Sequence, residues 1–176
     1  RFTNELGTRD VVSADILKQT GGIAYLITNE EMREDNGALR GYIEKGYAVE
    51  GKDLDLLGQA LQVDAETLKT TLSKYKSYVD NANDEDFSRD NMTVTLENGP
   101  YYALKVTPAI HHTMGGLTIN TTAQVLNGEG NPIKGLYAAG EVTGGIHGAN
   151  RIGGNAMTDI IVFGRIAGQT AAAELK

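Results

Sequence analysis

Two histidines, one carboxylate and one arginine lie among glycines in the last third of the chain. His111 and His112 precede a Gly-Gly pair, Glu141 follows an apolar run, and Arg151 stands between glycines. The planar fork of an arginine suits a carboxylate better than a lysine does. Half of the 22 glycines lie between residues 115 and 154, which indicates that something approaches the backbone closely there. The combination predicts a binding site, and turns with positive φ are the alternative for the glycines.

Each of these side chains also has an ordinary structural alternative. His111 and His112 are adjacent, so in an extended backbone they point to opposite faces and can serve two different ligands. A metal site would need further ligands, which only His147 offers, and we predict none. Arg151 could instead tie two loops together. Glu141, at the end of a predicted strand, suits a ligand hydroxyl such as that of a ribose, or it caps the next turn.

The elements that must position these residues mix helices with short strands, so the predicted fold class is α+β. Asp10 is a predicted helix N-cap, and Asp53 and Asp64 each precede a run whose apolar residues recur at helical spacing. Residues 80–91 are rich in Asp and Asn without periodicity, and we predict a solvated loop there. The predicted helices are 11–19, 30–45, one after Asp53, one after Asp64 that buries Ala65, Leu68, Leu72, Tyr75 and Val79, and 156–175; the predicted strands are 23–27, 101–107, 117–120, 123–126 and 135–139.

Composition narrows the possible partners and divides the chain. The 176 residues carry a formal net charge of −7 with no cluster of Lys and Arg, which argues against a nucleic-acid partner. The absence of cysteine excludes disulfides, thiolate catalysis and Fe–S ligation within this chain. No apolar run approaches the length of a membrane span, so we predict none. Near Pro108 the sequence changes from charged and helix-forming to glycine-rich and β-prone, which predicts a domain boundary.

Three motifs carry a resemblance to a known family. They are Asn-Glu-x-x-Thr-Arg-Asp at residues 4–10, the His-His pair at 111–112, and Gly-Ala-Asn-Arg-x-Gly-Gly-Asn-Ala at 148–156. The chain resembles fumarate reductase flavoproteins of the flavocytochrome c type, in the FAD-dependent oxidoreductase 2 family, most specifically over residues 1–20 and 101–168. A FAD domain of the dinucleotide type needs a Gly-x-Gly-x-x-Gly turn, which is absent here. We therefore expect the C-terminal portion of a longer flavoprotein.

The resemblance implies a domain organisation and a role for individual residues. Residues 1–108 correspond to a mixed α/β cap, or clamp, domain over the active site, and 109–176 to the C-terminal β-strands and long helix of the FAD-binding domain. Arg9 matches the arginine that donates a proton to the substrate carbon. The substrate-binding positions implied are His111, Arg151 and Gly154, and the FAD-binding positions implied are His112, Glu141, Ala156 and Met157.

The activity implied by the resemblance is hydride transfer from reduced FAD to the double bond of an α,β-unsaturated carboxylate. The first candidate is the reduction of fumarate to succinate in bacterial anaerobic respiration. Urocanate, acrylate or a cinnamate are alternative substrates. A 3-ketosteroid dehydrogenase is disfavoured because its substrate has no carboxylate for Arg151 and His111 to bind. The isolated chain could also be a non-catalytic fragment, and we expect it to be inactive alone. The implied partners are the upstream FAD-binding part and an electron donor carrying haem, FMN or an NADH-linked group, with the periplasm favoured over the cytoplasm.

Overall fold

The computed structural model describes residues 1–175 and has an α+β fold, as the sequence predicts. The chain forms two compact units, Arg1–Pro108 and the part from Ala109 onward. Each unit has its own sheet: three strands in the first and two in the second. That the first unit is a cap and the second a returning segment of a FAD domain stays a proposal.

The first unit contains five α-helices, one short 3-10 helix at Thr20–Gly22 and a three-stranded antiparallel sheet. The sheet has the order β1 (Ala24–Asn29), β3 (Tyr101–Val106) and β2 (Ala48–Gly51), with the last residues of β1 and β2 both opposite Tyr101 on the central strand. Tyr101 to Leu104 are buried, and Leu57 and Ala103 form the centre of the core. The elements are α1 Arg9–Leu17, β1 Ala24–Asn29, α2 Glu30–Asp35, α3 Gly37–Glu44, β2 Ala48–Gly51, α4 Leu54–Leu61, α5 Ala65–Asn81 and β3 Tyr101–Val106.

Asp53 and Asp64, which directly precede the predicted helical runs, are the N-caps of α4 and α5. The Asp53 carboxylate accepts the N–H of Leu56 at 2.9 Å, and that of Asp64 accepts the N–H of Thr67 at 3.1 Å. Each satisfies one of the first N–H groups of its helix, which have no partner inside the helix. The predicted N-cap at Asp10 is wrong: α1 begins at Arg9, and Thr8 is the N-cap. An acidic residue in the first turn is favourable as well, so Asp10 alone does not mark the boundary.

The predicted helix over 30–45 is interrupted at Asn36. The backbone there is extended (φ −125°, ψ 102°), and its side-chain oxygen accepts the N–H groups of Ala38 and Leu39, both at 3.0 Å. An asparagine side chain competes with the backbone for such hydrogen bonds, so it ends α2 and caps α3. Residues on both sides of Asn36 are helical, as predicted, but the prediction of a single helix is wrong.

The predicted solvated loop at residues 80–91 is also wrong in part. Helix α5 extends to Asn81, and Asp84 in the segment that follows is only 4% exposed. A carboxylate so far from solvent requires partners that supply hydrogen bonds or positive charge. The sequence of the segment does not reveal these partners, because the principal one is Arg1, 83 residues away.

The second unit pairs β4, Gln124–Leu126, with β5, Pro132–Tyr137, in an antiparallel hairpin, and ends in α6, Asn155–Glu174. The predicted strand at 117–120 is not a strand. Its residues make only isolated bridges, Leu117 with Thr143 and Ile119 with Val125. The apolar alternation is present, but single bridges take the place of a continuous ladder.

Many large apolar side chains of the second unit are exposed. Ile133 and Leu136 on β5 are 39% and 43% exposed, and Ile160, Ile161 and Val162 on α6 are 44%, 64% and 45% exposed. Clusters of exposed apolar side chains usually mark a surface that another protein segment covers. Within residues 1–175, none of the helices has the length and apolar character needed to cross a membrane.

Candidate functional site

A backbone-to-backbone contact joins the two segments that carry the predicted site residues of the second unit. The Leu117 N–H donates to the Val142 carbonyl at 2.8 Å, and the Gly144 N–H donates to the Leu117 carbonyl at 3.0 Å. A Cβ at Gly116 would lie 2.0 Å from the Val142 oxygen, and one at Gly144 would lie 2.8 Å from the Gly116 nitrogen. At these two glycines the group that approaches closely is therefore another main chain.

Glu141 belongs to this junction. One carboxylate oxygen, Oε1, accepts the Thr113 N–H at 3.1 Å, and the Thr113 hydroxyl donates to the Glu141 carbonyl at 3.2 Å. The side chain thus holds the segment after the histidine pair and does not cap the turn that follows it. Over residues 1–175 the second oxygen, Oε2, accepts no hydrogen bond, and the residue is exposed. Glu141 therefore keeps one free acceptor for a ligand hydroxyl.

The two adjacent histidines have different surroundings. His111 is exposed, whereas His112 is half-buried with its ring edge-on to the ring of His147. The centroids of those two rings are 5.3 Å apart and the ring planes are inclined by 76°. The difference supports two separate roles for the pair, although the ligand of each ring stays a prediction.

His147 is tied to the buried Asp159 of α6. Its Nε2 atom lies 3.2 Å from Oδ2 of Asp159, whose side chain is 2% exposed. The other oxygen, Oδ1, is buried and has no hydrogen-bond partner in the described part of the chain. From the sequence, His147 stands out only as a possible metal ligand, and Asp159 is overlooked. Within residues 1–175 no group of three or more His, Cys, Asp or Glu side chains could hold a metal ion.

Arg151 is a nearly buried cation, 7% exposed. Its only direct hydrogen bond among the described residues runs from Nη1 to the carbonyl of the next residue, Ile152, at 3.4 Å, and its Nε atom is buried without a partner. This arginine therefore does not tie two loops together. No carboxylate from residues 1–175 forms an ion pair with it, and a buried guanidinium without an anion is costly. The arrangement is suited to an anion that comes from a ligand.

The N-terminus of α6 offers a backbone donor beside Arg151. Gly154 is the N-cap, and the N–H groups of Asn155 and Met157 donate to the carbonyls of Ile152 and Gly154 at 3.2 Å and 2.9 Å. The Ala156 N–H has no acceptor in the described part of the chain. Since the N-terminus of a helix carries partial positive charge, this free N–H can stabilise negative charge on a ligand. Met157 is 60% exposed at the same turn.

Arg9, the predicted proton donor, lies in the first unit. It is the first residue of α1 and is exposed, and its side chain has no hydrogen bond or ion pair within residues 1–175. Its guanidinium is therefore available to a substrate. Eight residues earlier, Arg1 forms an ion network with the buried Asp84 and the exposed Glu5, which the sequence does not predict.

Comparison with known proteins places these features in a family context. The family model described as "FAD binding domain" matches residues 1–157. A protein named "Fumarate reductase (cytochrome)" from Shewanella frigidimarina is 50% identical over 172 residues, which is 98% of this chain and 30% of the relative. The urocanate reductase of Eggerthella lenta is 41% identical over 180 residues, which is 98% of this chain and 30% of that protein.

A solved structure agrees with the sequence match. The open conformation of a flavocytochrome c3 fumarate reductase superposes with a TM-score of 0.78 at 47% identity, over 98% of this chain and 31% of that chain. The chain thus spans about 30% of the length of the fumarate reductase that it matches.

Proposed function

Because the chain belongs to the FAD binding domain family, we propose that it is the C-terminal part of a flavoprotein reductase that acts on an α,β-unsaturated carboxylate. The cofactor of this family is FAD. The three short sequence motifs and the family match over residues 1–157 indicate the same family. The activity belongs to the whole protein, of which this chain supplies two units.

The groups left without partners fit FAD. The free Oε2 of Glu141 can accept a hydroxyl of the ribityl or ribose chain, and the free N–H of Ala156 can donate to a flavin oxygen. His112 and Met157 are the other two residues proposed to contact the cofactor. When bound, reduced FAD supplies the hydride that adds to one alkene carbon.

The nearly buried, unpaired guanidinium of Arg151 is the observation that carries the substrate class. A bidentate carboxylate would satisfy both its charge and its N–H groups. We propose that Arg151 and His111 hold that carboxylate, and that Gly154, at the start of α6, leaves room for it. A steroid ketone offers no anion for this position, which disfavours a 3-ketosteroid substrate.

Arg9 is the proposed proton donor to the second alkene carbon. A guanidinium hardly gives up its proton, so the group must be reprotonated at once by a relay. The family resemblance provides such a relay upstream of residue 1. What the chain itself contributes is an arginine at a helix start whose side chain is exposed and unpaired over residues 1–175.

Fumarate is the proposed substrate, since the relative that is 50% identical is named a fumarate reductase. The relative named urocanate reductase makes urocanate the second candidate. The exposed apolar side chains of β5 and α6 are proposed to pack on the upstream part of the FAD domain. An electron donor with haem, FMN or an NADH-linked group is a further proposed partner, and a periplasmic location stays a prediction.

The experiment that tests the function uses the full-length protein with FAD reduced under anaerobic conditions. Fumarate, urocanate, acrylate and a 3-ketosteroid are mixed with it separately, and flavin reoxidation is recorded. We expect rapid reoxidation by fumarate and its loss in Arg151→Ala. Reoxidation by none of the three acids would overturn the proposal, whereas reoxidation by urocanate alone would correct only the choice of acid.

A further inference from the structure

The buried carboxylate of Asp84 is the centre of an ion network in the first unit. Its two oxygens accept the Arg1 Nη1 and Nη2 groups at 3.0 Å and 2.7 Å. They also accept three backbone N–H groups, those of Asp86, Phe87 and Arg89, at 3.2 Å, 3.3 Å and 3.2 Å. The side chain of Asp84 has no exposed surface. One carboxylate thus organises the loop after α5 and binds the first residue of the chain.

The other edge of the Arg1 guanidinium binds Glu5. The Nε and Nη2 groups of Arg1 donate to the two Glu5 oxygens at 2.6 Å and 2.9 Å. The rings of Tyr75 and Phe87 lie over the guanidinium, each with its centroid 5.1 Å from the cation. The hydrogen bond from Arg1 is the main reason that the pKa of Asp84 is lowered to about 2. The Arg1 guanidinium is therefore held by two carboxylates and by two aromatic rings.

The fixed segment leads directly into the helix that begins with Arg9. The side-chain amide of Asn4 donates to the Ser88 carbonyl at 3.4 Å, and the Asn4 carbonyl accepts the Gly7 N–H at 3.0 Å. The Thr3 hydroxyl donates to Asp15 in α1 at 2.7 Å. The turn at residues 4–7 is thus held by the loop after α5 at one end and connected to α1 at the other.

The arrangement gives Arg9 a support that its own side chain lacks. The Arg9 guanidinium has no partner within residues 1–175. The position of the side chain is therefore determined only by the backbone of the segment that carries it. That backbone is anchored through Arg1, Thr3 and Asn4. Catalytic groups must be held to within a fraction of an ångström, and rigid supporting contacts provide this precision.

We propose that Asp84, through Arg1, is a positioning residue for the proton donor Arg9. The proposal rests on the proposed function, in which Arg9 protonates the substrate carbon. Asp84 itself touches neither substrate nor cofactor. Its loss is expected to slow proton delivery and to leave the carboxylate site at Arg151 unchanged.

The test compares two neighbouring substitutions in the full-length protein, Asp84→Asn and Asp86→Asn. Asp86 makes an ion pair with Lys74 at 2.8 Å and does not bind Arg1 through its side chain, so it is the matched control. Asp84→Asn is expected to lower kcat by about 10- to 100-fold with little change in KM, because a small displacement of a catalytic group has effects of this size. FAD content stays the same, and Asp86→Asn keeps wild-type kcat.

A solvent deuterium isotope effect separates positioning from general destabilisation. In Asp84→Asn the isotope effect on kcat is expected to rise above the wild-type value, because proton transfer becomes the slow step. A variant that has merely lost stability would show a lower melting temperature with unchanged kcat and isotope effect per folded, FAD-loaded molecule. That result would overturn the proposal.

Two more variants complete the experiment. If Asp84→Asn does not fold, Arg1→Lys keeps the charge but loses the two-sided contact, and it is expected to lower kcat in the same way. Normal kcat in Arg1→Lys would then overturn the proposal. Arg9→Lys tests the underlying function: normal turnover in Arg9→Lys means that the proton donor is wrong. Loss of turnover in Arg9→Lys together with normal Asp84→Asn means that only the positioning role is wrong.

Discussion

Nε2 of His147 lies 3.2 Å from Oδ2 of Asp159, and the two residues join the loop before Arg151 to the first turns of α6. A carboxylate oxygen at this distance favours the imidazole tautomer that carries its hydrogen on Nε2, because that nitrogen can then donate to it. The ring so oriented stands edge-on to His112. The pair therefore supports the half-buried histidine that is proposed to face the flavin.

Replacing Asp159 should lower the free energy of unfolding by an amount that depends on whether the new side chain can still accept a hydrogen bond. Asp159→Ala leaves a buried imidazole N–H without an acceptor, which costs about 1–3 kcal/mol. Asp159→Asn should cost less because the amide oxygen still accepts that hydrogen bond. Thermal unfolding of the full-length protein measures both, and equal losses in the two variants would contradict a role that depends on the hydrogen bond.

Arg151→Ala should weaken substrate binding and keep FAD. Removing the partner of a buried carboxylate costs about 3–5 kcal/mol, so KM should rise by more than about 100-fold. Arg151→Lys, which retains the charge but not the planar fork, should fall between wild type and Arg151→Ala. Steady-state kinetics and the flavin absorbance of the purified protein measure the two effects. A normal KM in Arg151→Ala would remove Arg151 from the site.

Exchange of each histidine should give a different defect. His111→Ala should raise KM for the unsaturated acid, because the exposed His111 is proposed to help hold its carboxylate. His112→Ala should instead change FAD occupancy or the flavin reduction potential, because His112 is proposed to contact the cofactor. Kinetics and a spectroelectrochemical titration distinguish these results. The same substrate defect in both variants, with an unchanged flavin, would show that the assignment is wrong.

The Asp84 network should make the free energy of unfolding depend on pH in the acidic range. The pKa of Asp84 falls from its ordinary value of 3.8 to about 2, chiefly because of the hydrogen bond from Arg1. A lowered carboxylate pKa contributes stability that is fully present above the ordinary value and is lost as the pH falls toward the folded one. The stability difference between wild type and Asp84→Asn should thus shrink as the pH falls from about 4 to about 2. Unfolding followed by circular dichroism at several pH values measures this, and a constant difference would contradict it.

The sequence predicts the parts of this molecule that depend on local pattern. The start of α5 follows from the Asp64 cap and the apolar spacing after it, and α6 follows from a long apolar run. The buried state of Asp84 cannot be predicted in this way, because its principal partner lies 83 residues away. Only the packed chain brings such partners together.

The candidate site shows the same division. Arg151 stands out among glycines, and the structure shows that it is nearly buried, with its Nε atom without a partner in the described part of the chain. The pairing of His147 with Asp159 is not visible in their spacing, because the two residues lie 12 positions apart in the sequence with a loop between them. One signal is present, since Asp159 is a charged residue directly before the apolar run 160–163. A buried charge in such a run calls for a partner.

The contact between Gly116 and Gly144 has a consequence for redesigning the substrate range. Neither position has room for a Cβ, because at Gly116 and Gly144 the main chains of the two segments lie in direct contact. Random mutagenesis across this junction would yield mostly inactive clones, because a methyl group at either glycine pushes the two segments apart. Any mutagenesis of the second unit should therefore leave residues 115–117 and 142–145 constant.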